Sequence, residues 1–221
     1  MAFRKLGHEA YSCDIQEPSG GHPEWHIQGD ALELLPPGRL PDLAHDDQRR
    51  GIEFCTMDKA YHIVDHWDLL IAHPPCTYMA NSGAVWMRVS GVIQEDRYRK
   101  AMEAKAFFMA FYNAPIARIA VENPIPMRLI GLPPYTQIVQ PYEHGHAYSK
   151  ATCLWLKGLP PLAPTEIIQK HTPYVNGGSK DAHGNYKCSR GKERDPKKRS
   201  KTFPGIARAM AEQWGGRANN D

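Results

Sequence analysis

The sequence has no Cys-x-x-Cys pair, no long apolar run and no internal repeat. Its five cysteines, at positions 13, 55, 76, 153 and 188, are odd in number and widely scattered. That spacing argues against a disulfide framework or a Cys-rich zinc site, and a reducing cytoplasm is the expected compartment. No segment approaches the roughly 20 apolar residues that span a bilayer, so no membrane partner is expected. No signal-peptide pattern is visible either. What remains is 221 residues of ordinary globular composition, enough for one full domain and a modest insertion.

Charge is unevenly placed. Residues 187–201, KCSRGKERDPKKRSK, hold eight Lys/Arg against two acids, while residues 1–75 hold thirteen acids against six bases. A basic tail on an acidic body suggests a local polyanion contact, or else a solvated loop. His22 and His26 stand four apart, and His171, His183 and Cys188 fall in one region. Neither set is read as a metal site: histidine is frequent here, and no helical pattern puts the pair on one face.

The pattern alternates strands with helices. AFRKLGH (2–8) reads as a helix end stopped by Gly7, and EAYSCDI as a strand ending on Asp14. Residues 16–28 read as loop, GDALELL as a short element, and 52–66 as mixed with a short helix. WDLLIA (67–72) and IARIAV (116–121) read as buried strands. Between them, 76–94 reads as loop or short helices. EDRYRKAMEAKAFFMAFYN (95–113) is the clearest helix, with an expected apolar face of Met102, Ala106, Met109 and Ala110 beside Phe107. TQIVQP and ATCLWLKG are further strands, and FPGIARAMAEQW (203–214) a terminal helix. The expected fold is α/β, with a mainly parallel sheet and helices on both faces. Residues 1–156 form the expected core, 157–201 a small basic Pro/Gly-rich insertion, and 202–221 a helix returning to the core.

Two apolar runs end on reactive groups. WDLLIAHPPCT ends at Cys76, and IARIAVENP, 46 positions later, at Glu122 and Asn123. A strand–helix–strand unit brings both to the carboxyl edge of one sheet, where ligands sit in such folds. A thiol and a carboxyl meeting there can attack an electron-poor ring and protonate it.

HPPCT and VENP resemble the two catalytic signatures of the DNA cytosine-5 methyltransferases. The order HPPCTYMANSG, VENP, ATCLWLKGLP, TFPGIARAMAEQW is similar to compact phage-type members over most of the chain. The resemblance implies a Rossmann-like methyltransferase fold and S-adenosylmethionine as cofactor. It implies Cys76 as nucleophile at cytosine C6, Glu122 as the acid at N3, and Asn123 ordering the loop. Asp14 with Ile15, and Asp30 with Ala31, would hold the cofactor together with Pro74. Pro75, Lys150 and Thr152 would hold the target base, the last two standing where the family carries arginines. Arg190, Lys197, Lys198 and Arg199 would hold DNA, as a duplex with its cytosine flipped out or as a single strand, and Tyr174 and Tyr186 could stack on bases. The setting implied is a bacterial or phage-infected cell.

The family's opening strand and Phe-x-Gly-x-Gly turn have no counterpart, and Gly20-Gly21 follows the wrong strand. The core is therefore expected to be N-terminally truncated, with a gap or free edge beside WDLLIA. Two alternatives stay open: a non-catalytic nucleic-acid- or partner-binding protein on this fold, and a C5-pyrimidine enzyme acting on free nucleotides.

Overall fold

A computed structural model describes residues 1–18, 20–36, 51–175, 177–180 and 186–216. The chain opens with a 3₁₀ turn at Arg4–Leu6, then β1 (Ser12–Asp14), β2 (His26–Gln28), β3 (Ile52–Cys55), β4 (Tyr61–Val64) and β5 (Leu70–Ala72). There follow α1 (Ala84–Met87), β6 (Arg88–Val89), β7 (Val92–Ile93), α2 (Glu95–Tyr112), β8 (Ile119–Pro124) and β9 (Gln137–Val139). The last elements are β10 (Tyr148–Ser149), β11 (Thr152–Lys157), β12 (Thr172–Pro173), β13 (Gly177–Lys180), β14 (Tyr186–Ser189), α3 (Pro196–Ser200) and α4 (Pro204–Trp214).

The central sheet has the order β5-β8-β11-β9. β5 and β8 run parallel, with α2 connecting them, and Ala72 stands opposite Val121. β11 is antiparallel to both β8 and β9. The fold is mixed α/β, but the central sheet is not mainly parallel. β9 reaches β11 through residues 140–151, which hold a 3₁₀ turn and β10 but no crossover helix, so the chain returns antiparallel to its neighbour.

β8 and β11 are almost continuously buried because both of their faces are covered. Ile119, Val121, Cys153 and Trp155 pack with α2, whereas Ala120, Leu154 and Leu156 pack with α4. Trp155 sits edge-on to Phe108, 5.0 Å between centroids, and its indole N–H donates to the Pro133 carbonyl at 2.7 Å. α2 has Glu95 and Asp96 in its first turn, where the helix dipole favours them. Its buried face is Ala101, Phe108 and Phe111. The expected stripe is rotated by about one residue, and Ala106 is exposed. Burying the aromatic rings removes more apolar area from water than burying the Met/Ala stripe.

Two further readings are corrected. Residues 52–64 form a β-hairpin, not a helix, with Phe54 inward and Glu53 and Cys55 outward. The segment read as loop at 16–28 ends in β2, which pairs parallel to β1. β5 has a partner on one side only among the described residues, and β1·β2 is a separate pair, as the free-edge expectation required. No helix among the described residues is long and apolar enough to cross a membrane.

Candidate active site

β5 ends at Ala72, and the chain continues through His73, Pro74 and Pro75 to Cys76. The two prolines fix the backbone and remove two donors, so this segment cannot extend the ladder. Cys76 opens a tight turn: its carbonyl accepts from the Met79 and Ala80 amides at 3.0 and 2.9 Å. Met79 and Ala80 are buried, so the turn is anchored in the core.

On the neighbouring strand, Glu122 and Asn123 lie inside β8 rather than beyond its end, as the sequence reading had placed them. Asn123 is fully buried, and its Nδ2 donates to the Pro74 carbonyl at 3.1 Å. This bond ties the cysteine loop to the central strand. Asn123 Oδ1 has no partner; among the described residues the only other such buried side-chain atom is Arg97 Nε. Glu122 is half-buried and accepts from His73 Nδ1 at 3.1 Å.

Glu122 lies close enough to Cys76 to shape the thiol's charge. Burial pushes the Cys76 thiol up, the Glu122 carboxylate pushes it further, and Lys150 and Arg199 pull it back in part. The resting thiol is therefore held neutral. Burial lowers the Lys150 ammonium, while Glu122 and Cys76 raise it. The buried Cys153 beneath is pushed up to about 12 by burial and by Glu122, which leaves it inert as a nucleophile.

A basic strap reaches the site. Lys150 Nζ donates to the Arg199 carbonyl at 2.7 Å, linking the segment before β11 to α3. His73, Glu122, Lys150, Thr152, Thr202 and Phe203 line a hollow of about 20 Å³. Thr152 is buried, its hydroxyl donating to the Lys150 carbonyl at 3.3 Å.

The remaining candidates lie apart from this cluster. Asp14 and Asp30 stand at the same end of β1·β2, where the Gly29 amide donates to the Asp14 carbonyl at 3.1 Å. Each carboxylate accepts one local backbone amide, from Gln16 and Leu32 respectively, at 2.9 Å. Ile15 is exposed and Ala31 half-buried. Pro74 is buried and Pro75 exposed; Arg190, Lys198 and Arg199 are exposed, and the Lys197 side chain lies outside the described residues. Tyr174 is not a free stacking surface, because its ring packs edge-on against Phe203 at 4.8 Å. The Tyr186 side chain also lies outside the described residues.

These residues fit half of a sulfonium-nucleoside site. The Asp14 and Asp30 carboxylates are exposed acceptors for ribose hydroxyls and an exocyclic amine. Gly20, Gly21 and Gly29 stand in open space, so none forms a cradle that a side chain would fill.

The histidines read as non-ligands are otherwise engaged. His26 is buried with both ring nitrogens in contact with Ser12 and Gln16, His22 stacks on Trp25, and His171 on Tyr142. His183 and the Cys188 side chain lie outside the described residues. A larger hollow of about 780 Å³ lies between the first turn and α4. Its two histidines are occupied, His146 by the Gly205 amide at 2.9 Å and His144 by the Thr165 hydroxyl at 3.2 Å, and it holds no thiol.

His73, Thr202 and Phe203 were not anticipated. His73 was legible: pairing the two strands in parallel with Ala72 opposite Val121 puts His73 beside Glu122. Compared with protein families, curated proteins and solved structures, the chain matches none.

Proposed function

We propose that the chain carries out cytosine-C5 chemistry on DNA, with S-adenosylmethionine as methyl donor, on a Rossmann-like methyltransferase fold. The observation that carries this is the single cluster of Cys76, Glu122, His73 and Lys150 at the carboxyl ends of the parallel pair β5·β8.

The electrostatics suggest how the target half works. Burial and the Glu122 carboxylate keep the Cys76 thiol protonated at rest, so its proton must leave as Sγ reacts. The thiol proton passes to Glu122, leaving a thiolate and a carboxylic acid. Sγ then adds to C6, the C5–C6 pair moves into the ring, and Glu122 delivers the same proton to N3. C5 is now an enamine carbon able to attack an electrophile. S-adenosylmethionine, when bound, supplies an electrophilic methyl group. The C5 proton then leaves to water as the C6–S bond breaks, and N3 returns its proton through Glu122 to the thiolate, which restores the neutral aromatic ring and the resting thiol. His73 holds the Glu122 carboxylate throughout, and Lys150 offsets the negative charge of the pair.

The target half is testable without the donor. In heavy water, addition at C6 followed by deuteration at C5 and elimination raises the mass of cytosine by about one unit. We expect that exchange in a cytosine-containing oligonucleotide, and a gain of about 14 units once S-adenosylmethionine is added. Cys76→Ser abolishes both. Exchange by that variant at the wild-type rate would exclude the mechanism. dCMP as substrate tests the free-nucleotide alternative directly. The neutral resting thiol favours a second reading, a binding protein without turnover, which predicts no exchange with either substrate.

A further inference from the structure

The segment after the Cys76 turn exposes apolar surface that folding does not explain. Val85 and Trp86 are each 65% exposed, Val92 64% and Val89 48%. They belong to α1 and to the β6–β7 hairpin, whose two-residue turn has Ser90 and Gly91 at φ 48° and 82°. Both values suit the tight hairpin turn that matches strand twist, so this is a formed hairpin. Its base is fixed: Met87 is buried in the core, and the Gln94 amide donates to the Met87 carbonyl at 2.9 Å. Rigid apolar surface of this kind marks an interaction site.

The charges beside it identify the partner. Arg99 and Lys100 on α2 are ion-paired to Asp96, and Arg99 also to Glu103. Arg88 and Arg97 have no carboxylate partner among the described residues. Arg88 donates to the Gly91 carbonyl at 3.2 Å. Arg97 donates to the Thr77 carbonyl at 3.2 Å and lies over the Tyr78 ring at 5.2 Å, with its buried Nε unpartnered. Arg97 thus ties the hairpin's base to the Cys76 turn. Aromatic surface next to uncompensated guanidinium groups suits a strand that carries both π faces and negative charge.

We propose that α1 and the β6–β7 hairpin, residues 84–94, form a base-stacking platform that holds a single nucleic-acid strand beside Cys76, with Trp86 stacking on a nucleobase next to the target. A second copy of the chain fits the apolar surface but leaves the two guanidinium groups unanswered. This inference rests on the proposed cytosine chemistry and, of its DNA and free-nucleotide readings, selects the polymer and adds the surface on which a single strand lies.

The test uses the full chain carrying Cys76→Ser, so that binding is read without turnover. A fluorescently labelled single-stranded 12-mer DNA containing one cytosine is titrated by anisotropy. Trp86→Ala weakens binding about 10- to 100-fold, the range for one base–aromatic stack, and Trp86→Phe restores it to within a few-fold. Trp86→Ala leaves the slope of log affinity against log salt unchanged, whereas Arg97→Gln reduces it by about one contact. Because Trp86 is exposed, the melting temperature of Trp86→Ala matches the parent and excludes misfolding. Equal affinity of Trp86→Ala and parent overturns the platform. So does a self-associating parent whose dimer, but not its DNA affinity, is lost on Trp86→Ala. If the parent binds no 12-mer at all, the polymer inference falls, and exchange into dCMP by wild type shows whether the chemistry survives it.

Discussion

Asn123→Ala removes the bond that holds the cysteine loop to β8. The Pro74 carbonyl then loses its donor in a buried setting, which costs roughly 1–3 kcal/mol. Lost side-chain volume adds about 1 kcal/mol. In partial compensation, the Oδ1 that already lacks a partner is removed as well, returning about 1 kcal/mol. The net loss is about 1–3 kcal/mol. For a chain of this size each kcal/mol lowers Tm by about 2–4 °C, so a fall of roughly 2–12 °C follows. The chemistry suffers more than the fold, because a displacement of about 1 Å in a reacting group costs on the order of 100-fold in rate. Thermal denaturation and deuterium exchange into cytosine, read on the same preparation below its Tm, separate the two effects. Asn123→Asp gives the sign. Its carboxyl can donate to Pro74 only when protonated, so its folded pKa is raised. The folded state is favoured below the unfolded value of about 3.9, and that advantage is lost as pH rises through the folded value. Exchange at the wild-type rate in Asn123→Ala would refute the tether.

Glu122→Gln removes a charge that pushes the Cys76 thiol up, so iodoacetamide alkylates Cys76 faster at pH 7 while base exchange is lost; unchanged alkylation contradicts the coupling. Lys150→Met acts in the opposite direction, moving the alkylation profile to higher pH. His144 and His146 are both lowered by burial, so the unfolded chain binds more protons near its unperturbed range. Stability is therefore full above about pH 6.5 and lost as pH falls below it. Urea midpoints at pH 7.5 and 5.5 read this, and equal midpoints in wild type refute it. Gly205→Ala drives a Cβ into the His144 carbonyl oxygen; a loss of at least about 2 kcal/mol follows from the forced shift of α4, measured by urea unfolding.

Much of the site was legible because its chemistry sits at strand ends, and strand ends are marked by where apolar runs stop. Cys76 and Glu122 could be placed on one edge from two runs and the helix between them. The hairpin at 52–64 was missed although Phe54 alternates with Glu53 and Cys55, because each strand is only four residues long and the turn between them carries no Asn-Gly or Asp-Gly pair. The face of α2 was misjudged because Met, Ala and Phe are distributed around most of that helix, and only the sheet decides which of them it covers. The place of Thr202 and Phe203 in the hollow's wall was out of reach, since no local pattern announces where a strap returns to a site 80 positions from Glu122.

The Lys150–Arg199 bond makes one cation serve two claimants. Lys150 Nζ spends one of its three N–H donors on a strap carbonyl while its charge faces Glu122 and Cys76. Removing that side chain loosens the strap's anchor and the site's electrostatics together. The strap carries Lys198, Arg199 and Lys201 on its exposed side. Trypsin nicking there, faster in Lys150→Met than in the parent, reads the anchor directly, before any substrate is known.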